Sequence, residues 1–155
     1  MGDMKKALIV VAVTATLLSG CSTAAEPGAA SIGSSGTVTV PSGAHKQYEG
    51  TDCEGFRGIS DAKVDGFKDI SAGTQVVVTD ASGTVVGTST LGGGTLIRAS
   101  DWSEQSIRGL ACSYTFTFTD LPDGTFYGIH VGDSTRGDVQ FSKAEMQAGP
   151  TITID

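Results

Sequence analysis

Ser113-Tyr114-Thr115-Phe116-Thr117-Phe118-Thr119 is the stretch on which the reading of this chain turns. Its aromatic residues alternate with its hydroxyl residues, so an extended backbone sends Tyr114, Phe116 and Phe118 to one side and Ser113, Thr115, Thr117 and Thr119 to the other. Aromatic and β-branched residues suit such a pleated surface, and a strand with one wet face belongs to an antiparallel sheet packed on one side only. Downstream, Leu121-Pro122-Asp123-Gly124 turns the chain into Thr125–Val131, where Tyr127, Ile129 and Val131 share a face. Upstream, Gln75–Thr79 reads as a strand and Thr84–Thr90 as its return. The intervening Asp80-Ala81-Ser82-Gly83 places glycine where positive φ is tolerated. Thr37–Val40, Val139–Phe141 and Thr151–Ile154 are further short strands, and Ser142–Met146 has room for one helical turn. About seven short strands with regular turns and no long amphipathic helix predict an all-β fold, a single antiparallel β-sandwich.

Two stretches break this pattern. Residues 44–74 are polar and glycine-rich, with Cys53, Phe56, Ile59, Val64, Phe67 and Ile70 as apolar punctuation. Residues 91–111 open with Gly92-Gly93-Gly94, and Asp101 followed by Glu104 has the spacing of a capping box. That predicts a short helix over Trp102–Arg108, stopped by Gly109.

The N-terminal segment has a different character. Lys5 and Lys6 precede an apolar run from Ala7 to Leu18, and small residues then lead into a cysteine at Leu18-Ser19-Gly20-Cys21. The run is too short to span a bilayer and has the length of a signal-peptide core. An uncleaved membrane helix is the alternative. This segment resembles a bacterial lipoprotein signal peptide with its lipobox. The resemblance implies cleavage before Cys21, diacylglycerol on its thiol and an acyl chain on the new N-terminus. Asp3 sits poorly in a region that wants positive charge, so Met4 is a candidate start beside Met1. Myristoylation does not fit, because position 6 is Lys.

The expected organisation is therefore a signal peptide over 1–20, a flexible tether over 21–36 and a β-sandwich domain over 37–155. Residues 22–36 carry almost no large apolar side chain with which to offset ordering entropy. The net charge is −7; without the first twenty residues, which hold two lysines and one aspartate, it is −8. An acidic balance spread along the chain argues against nucleic acid and against electrostatic attachment to anionic lipid. In an exported chain Cys53 and Cys112 are expected to pair. The loop they close has a closure entropy of roughly 4 kcal/mol. There is no CxxC, and His45 and His130 lie outside any ligand spacing, so no metal is expected.

Two further resemblances concern the domain. Val76–Thr90 and Tyr114–Val131, the latter with a Leu-Pro-x-Gly turn before a Tyr-x-Val strand, look like the hairpins of prealbumin-like, or carboxypeptidase-regulatory-like, β-sandwich domains. The arrangement of Cys53, Asp69-Ile70, Gly73, Val76, Asp80, Gly83, Cys112, Phe116 and Tyr127 resembles small actinobacterial and phage-borne secreted domains. These resemblances imply location and fold, with no activity attached. Residues 91–111 depart from the prealbumin-like pattern, which has a tight connection there. The chain has no Asn, which removes both N-glycosylation and a Lys–Asn internal bond.

Candidate chemistry is sparse. Asp61, Asp65 and Asp69 are four apart, but no calcium-loop pattern accompanies them and lysines intersperse them, so a solvated surface is the reading. Trp102 is either a binding anchor on a long loop or a cap on the open end of the core. His130 has no nucleophile motif beside it. The expected function is a non-enzymatic binding or interaction module, lipid-anchored through Cys21 on the outer face of the cytoplasmic membrane. Its surface would be residues 54–68 and 91–111, with Trp102, Phe56 and Arg108 as speculative binding residues. Its expected partners are the membrane and an envelope or phage protein. No cofactor is expected beyond the covalent acyl groups. Alternatives are a phage- or prophage-encoded superinfection-exclusion lipoprotein, a cell-envelope hydrolase and a passive structural spacer.

Overall fold

The computed structural model describes residues 30–54, 67–99 and 109–154. Among these residues there are eight strands: β1 (Ser31–Pro41), β2 (Gln75–Asp80), β3 (Val85–Thr90), β4 (Gly94–Arg98), β5 (Leu110–Pro122), β6 (Phe126–Val131), β7 (Val139–Ser142) and β8 (Thr151–Thr153). A short α-helix, α1 (Lys143–Ala148), links the last two, and Lys46–Tyr48 form one turn of 3-10 helix. They form two four-stranded sheets, β4-β5-β1-β8 and β3-β2-β6-β7. All described pairings are antiparallel except β1 with β8, which is parallel.

The alternation in Ser113–Thr119 is realised in β5. Tyr114, Phe116 and Phe118 are buried, while Thr115, Thr117 and Thr119 are exposed. With Val38 and Val40 of β1 and Leu96 of β4 they form one inner face; Val76, Val78, Tyr127, Ile129 and Val131 form the other, in one core cluster. Met146 of α1 is fully buried and belongs to the same cluster.

Turn chemistry sets the register. The Asp80 carboxylate accepts from the Ser82 and Thr84 amides at 2.8 and 3.0 Å, and Gly83 takes φ +81°. The Tyr127 hydroxyl donates to the Pro122 carbonyl and accepts from the Gly124 amide, both at 2.7 Å, clamping the turn that precedes its own strand. Helix α1 starts with a capping box, in which Ser142 Oγ accepts from the Glu145 amide and Glu145 Oε2 from the Ser142 amide.

Two expectations are corrected. The ordered domain does not begin at Thr37: β1 starts at Ser31, inside the segment read as a tether. Residues 31–36 pair with β5 as far as Pro122, with a bulge between Ile32 and Ser34. At Gly36 the missing side chain is a packing requirement, since a Cβ there would lie 2.5 Å from both the Phe116 ring and the Pro150 carbonyl. Second, residues 91–111 are not simply an insertion in the strand pattern. Gly94–Arg98 is a strand paired with β5, with Leu91 and Leu96 buried, which gives eight strands rather than about seven. The Gly92-Gly93-Gly94 run is where the chain crosses from one sheet to the other. There the Gly92 amide donates to the Thr115 carbonyl at 2.7 Å and Ser89 Oγ to the Thr117 carbonyl at 2.8 Å, lacing the two sheets along that side.

The two faces of β5 predict opposite responses to truncation. Phe116→Ala should lower unfolding free energy by about 3–5 kcal/mol through lost burial and a cavity. Thr117→Ala should stay within about 0.5 kcal/mol. Urea unfolding midpoints at constant m-value are the measurement; equal effects would contradict the assignment of faces.

Candidate functional site

The two irregular stretches are rooted at a disulfide. Cys53 and Cys112 are bonded, their Cα atoms are 5.8 Å apart, and both are buried. Cys53 directly precedes residues 54–68 and Cys112 directly follows residues 91–111, so one covalent link ties the two together at these points. Hydrogen bonds secure the flanking backbone. The Cys53 amide donates to the Gly94 carbonyl at 3.0 Å, and the Glu54 amide to Asp52 Oδ1 at 2.7 Å. The Ala99 amide donates to the Gly109 carbonyl at 2.9 Å, and Ser42 Oγ to the Leu110 carbonyl at 2.7 Å. Arg98 Nε meets Glu49 Oε2 at 2.8 Å beside the same root.

Around Phe67 and Asp69 a buttress of side chains holds the backbone to the β6–β7 connection. Asp69 Oδ1 accepts from Arg136 Nη2 at 2.8 Å, and Oδ2 from Arg136 Nε at 3.0 Å and from the Asp133 amide at 2.8 Å. The guanidinium lies 5.4 Å from the centre of the Phe67 ring. Gly132, at φ +78°, leaves the space that the Asp69 carboxylate and the Ile70 side chain occupy. This bidentate, planar recognition is a use that Lys cannot reproduce. The hydrogen bonds from Arg136 hold the Asp69 carboxyl below the ordinary carboxylate range, against an opposing effect of partial burial. Asp80, Asp133 and Glu145 are lowered as well, chiefly by hydrogen bonds from Ser82, Thr135 and Ser142 respectively.

A second polar group lies on the outer face of the other sheet. His130 Nδ1 is 3.2 Å from Asp138 Oδ1, and Thr79 Oγ1 reaches Asp138 Oδ2 at 3.5 Å. Here the hydroxyl meets the carboxylate rather than the imidazole, which is not the order of a nucleophile, base and orienting acid. Among the described residues no group of three His, Cys, Asp or Glu side chains could hold a metal ion.

The sequence-predicted residues divide accordingly. Cys53 and Cys112 are joined as expected. Leu18, Ser19, Gly20, Cys21, Phe56, Trp102 and Arg108 lie outside the described residues, as do Asp61, Asp65 and the short helix expected over 102–108. Asp69, read as part of a solvated acidic face, is the ion-paired partner of Arg136. The sequence offered no pointer to that pair, because 67 positions separate its members. No protein-family model, curated protein or solved structure matches this chain.

The Asp69 pair makes a pH-dependent contribution. Its folded pKa lies below the unfolded value of about 3.9, so the contribution is complete above that value and drains as pH falls through the folded one. Asp69→Asn should cost about 1–2 kcal/mol at pH 7, screening included, and should flatten the stability curve below about pH 4. Denaturant titrations of the two proteins from pH 7 to pH 2.5 provide the check.

Proposed function

We propose that this chain is a lipid-anchored, envelope-exposed binding module without enzymatic activity, held at the outer face of the cytoplasmic membrane through Cys21. The observation that carries the reading is the disulfide: one covalent link joins Cys53, just before residues 54–68, to Cys112, just after residues 91–111, the two stretches whose sequence departs most from the strand pattern. Rigid frameworks that carry irregular segments at one place are the common architecture of recognition domains. The lipobox-like Leu18-Ser19-Gly20-Cys21 supplies the attachment and the oxidising side of the membrane on which such a disulfide persists. The acidic balance favours a domain held off an anionic surface by its tether rather than adsorbed to it.

The test uses cells expressing the full chain, a Cys21→Ala chain, or a chain with Phe56, Trp102 and Arg108 replaced by Ala. The module reading predicts that the full chain captures a specific envelope or phage protein. The anchor variant should lose surface retention, and the triple variant should lose capture about tenfold or more with its disulfide intact. Capture of nothing by any form would favour a passive spacer, and undiminished capture by the triple variant would remove the assigned loops from the interface.

A further inference from the structure

The chain enters the sandwich at the end opposite its disulfide. Strand β1 is the point of entry, and its register fixes the direction: Ser31 pairs with Pro122 and Val40 with Cys112. Nine steps from Ser31 to Val40 carry the chain about 30 Å along the sheet, at roughly 3.3 Å each. Hydrogen bonds define the entry end. The Asp123 amide donates to the Ala30 carbonyl at 2.9 Å and the Lys143 amide to the Thr125 carbonyl at 3.0 Å. Lys143 Nζ meets Asp123 Oδ1 at 2.6 Å. The β5–β6 turn and the start of α1 therefore surround the place where the chain enters. The β2–β3 turn lies at the same end, because Asp80 pairs with Tyr127.

The other end carries the fastenings. The disulfide, the Arg98–Glu49 pair and the Asp69–Arg136 pair lie there, with Ala99 and Gly109 hydrogen-bonded beside them. Reach decides which end a lipid on Cys21 holds down. Cys21 and Ala30 are nine positions apart, so even fully drawn out the chain between them spans at most about 32 Å. That is the rise of β1 from Ser31 to Val40. Laying the disulfide end on the lipid would need every step of that chain extended and doubled back beside the sandwich. Holding the entry end toward the lipid needs no extension at all. Asp80 and Asp120 lie at the entry end, and Lys143 there is paired with Asp123. Among the described residues this end thus offers no cationic patch for anionic lipid, and chain length rather than adsorption sets the orientation.

We propose that the domain is held with its entry end toward the membrane and its disulfide end outward, so that the surface around Cys53 and Cys112 meets a protein arriving from the outer side. This orientation rests on the lipid attachment at Cys21 proposed above and adds the direction from which the partner comes. A protein approaching from outside reaches the disulfide end first. Lipid headgroups face the β2–β3 and β5–β6 turns.

The test uses the chain recovered from cells with its lipid and reconstituted into phosphatidylcholine vesicles that carry an acceptor dye on a small share of headgroups. A donor fluorophore is placed on a non-natural side chain at Ala81, in the β2–β3 turn, or at Gln47, in the 3-10 turn beyond the disulfide end of β1; both positions are exposed. The proposal predicts energy transfer to the membrane several-fold stronger from Ala81 than from Gln47. Inserting about twenty glycine and serine residues between Gly28 and Ala29 lifts the limit on reach and should bring the two efficiencies together. Equal transfer from both positions without the insertion, or stronger transfer from Gln47, would overturn the proposal. A difference that survives the insertion would also overturn it, because adsorption rather than reach would then orient the domain. Flotation of the same vesicles separates the two readings. A chain that does not float overturns the anchor and this orientation with it, whereas a floating chain with equal transfer overturns the orientation alone.

Discussion

Three aromatic rings on one face of β5 set the terms for every strand around them. Tyr114, Phe116 and Phe118 are each almost fully buried, and each is met by a glycine on a neighbouring strand. A Cβ at Gly94 of β4 would overlap the Tyr114 ring, and one at Gly36 of β1 would strike Phe116. One at Gly87 of β3 would collide with Leu121 and touch Phe118. Close-packed interiors leave no slack for an added methyl group at such contacts. The rings thus fix which residues may stand opposite them on both sheets.

That constraint explains how far the fold could be read from residues alone. Strands with strict alternation, β5 above all, declare themselves, and so do hairpins whose turns carry Asp80 and Gly83 or Pro122 and Gly124. Ser31–Gly36 does not. Its serines and glycines look like a linker, because what justifies them lies far off in sequence: Phe116 and Pro150 leave no room for a side chain at Gly36, and Ser34 Oγ donates to the Met146 carbonyl. Strand β4 is hidden for a related reason: after three glycines only Leu96 points into the core, and Ile97 is partly exposed, so no alternation is visible. Both misreadings have one source, namely local composition dictated by a non-local neighbour.

The candidate site shows the same division. Cys53 and Cys112 could be expected to pair from the sequence, and they are bonded. The Asp69–Arg136 buttress cannot be found that way, since any of several acids could have met any of several cations. Only the fold brings the β6–β7 connection against Phe67 and Asp69. Together the disulfide and this buttress tie Cys53 to one sheet and Asp69 to the other. The chain thereby combines a laced lateral side with a covalent tie beside the segments proposed to bind.

The proposal that unites these features is an exported, lipid-bearing chain that carries this disulfide-tied sandwich. Intact-mass and peptide mass spectrometry of the chain recovered from the membrane fraction, without reduction, tests it most directly. The account predicts a polypeptide beginning at Cys21 with diacylglycerol on its thiol, and a Cys53–Cys112 cross-linked peptide. Retention of residues 5–20 with an unmodified Cys21, or free thiols at Cys53 and Cys112, would contradict it.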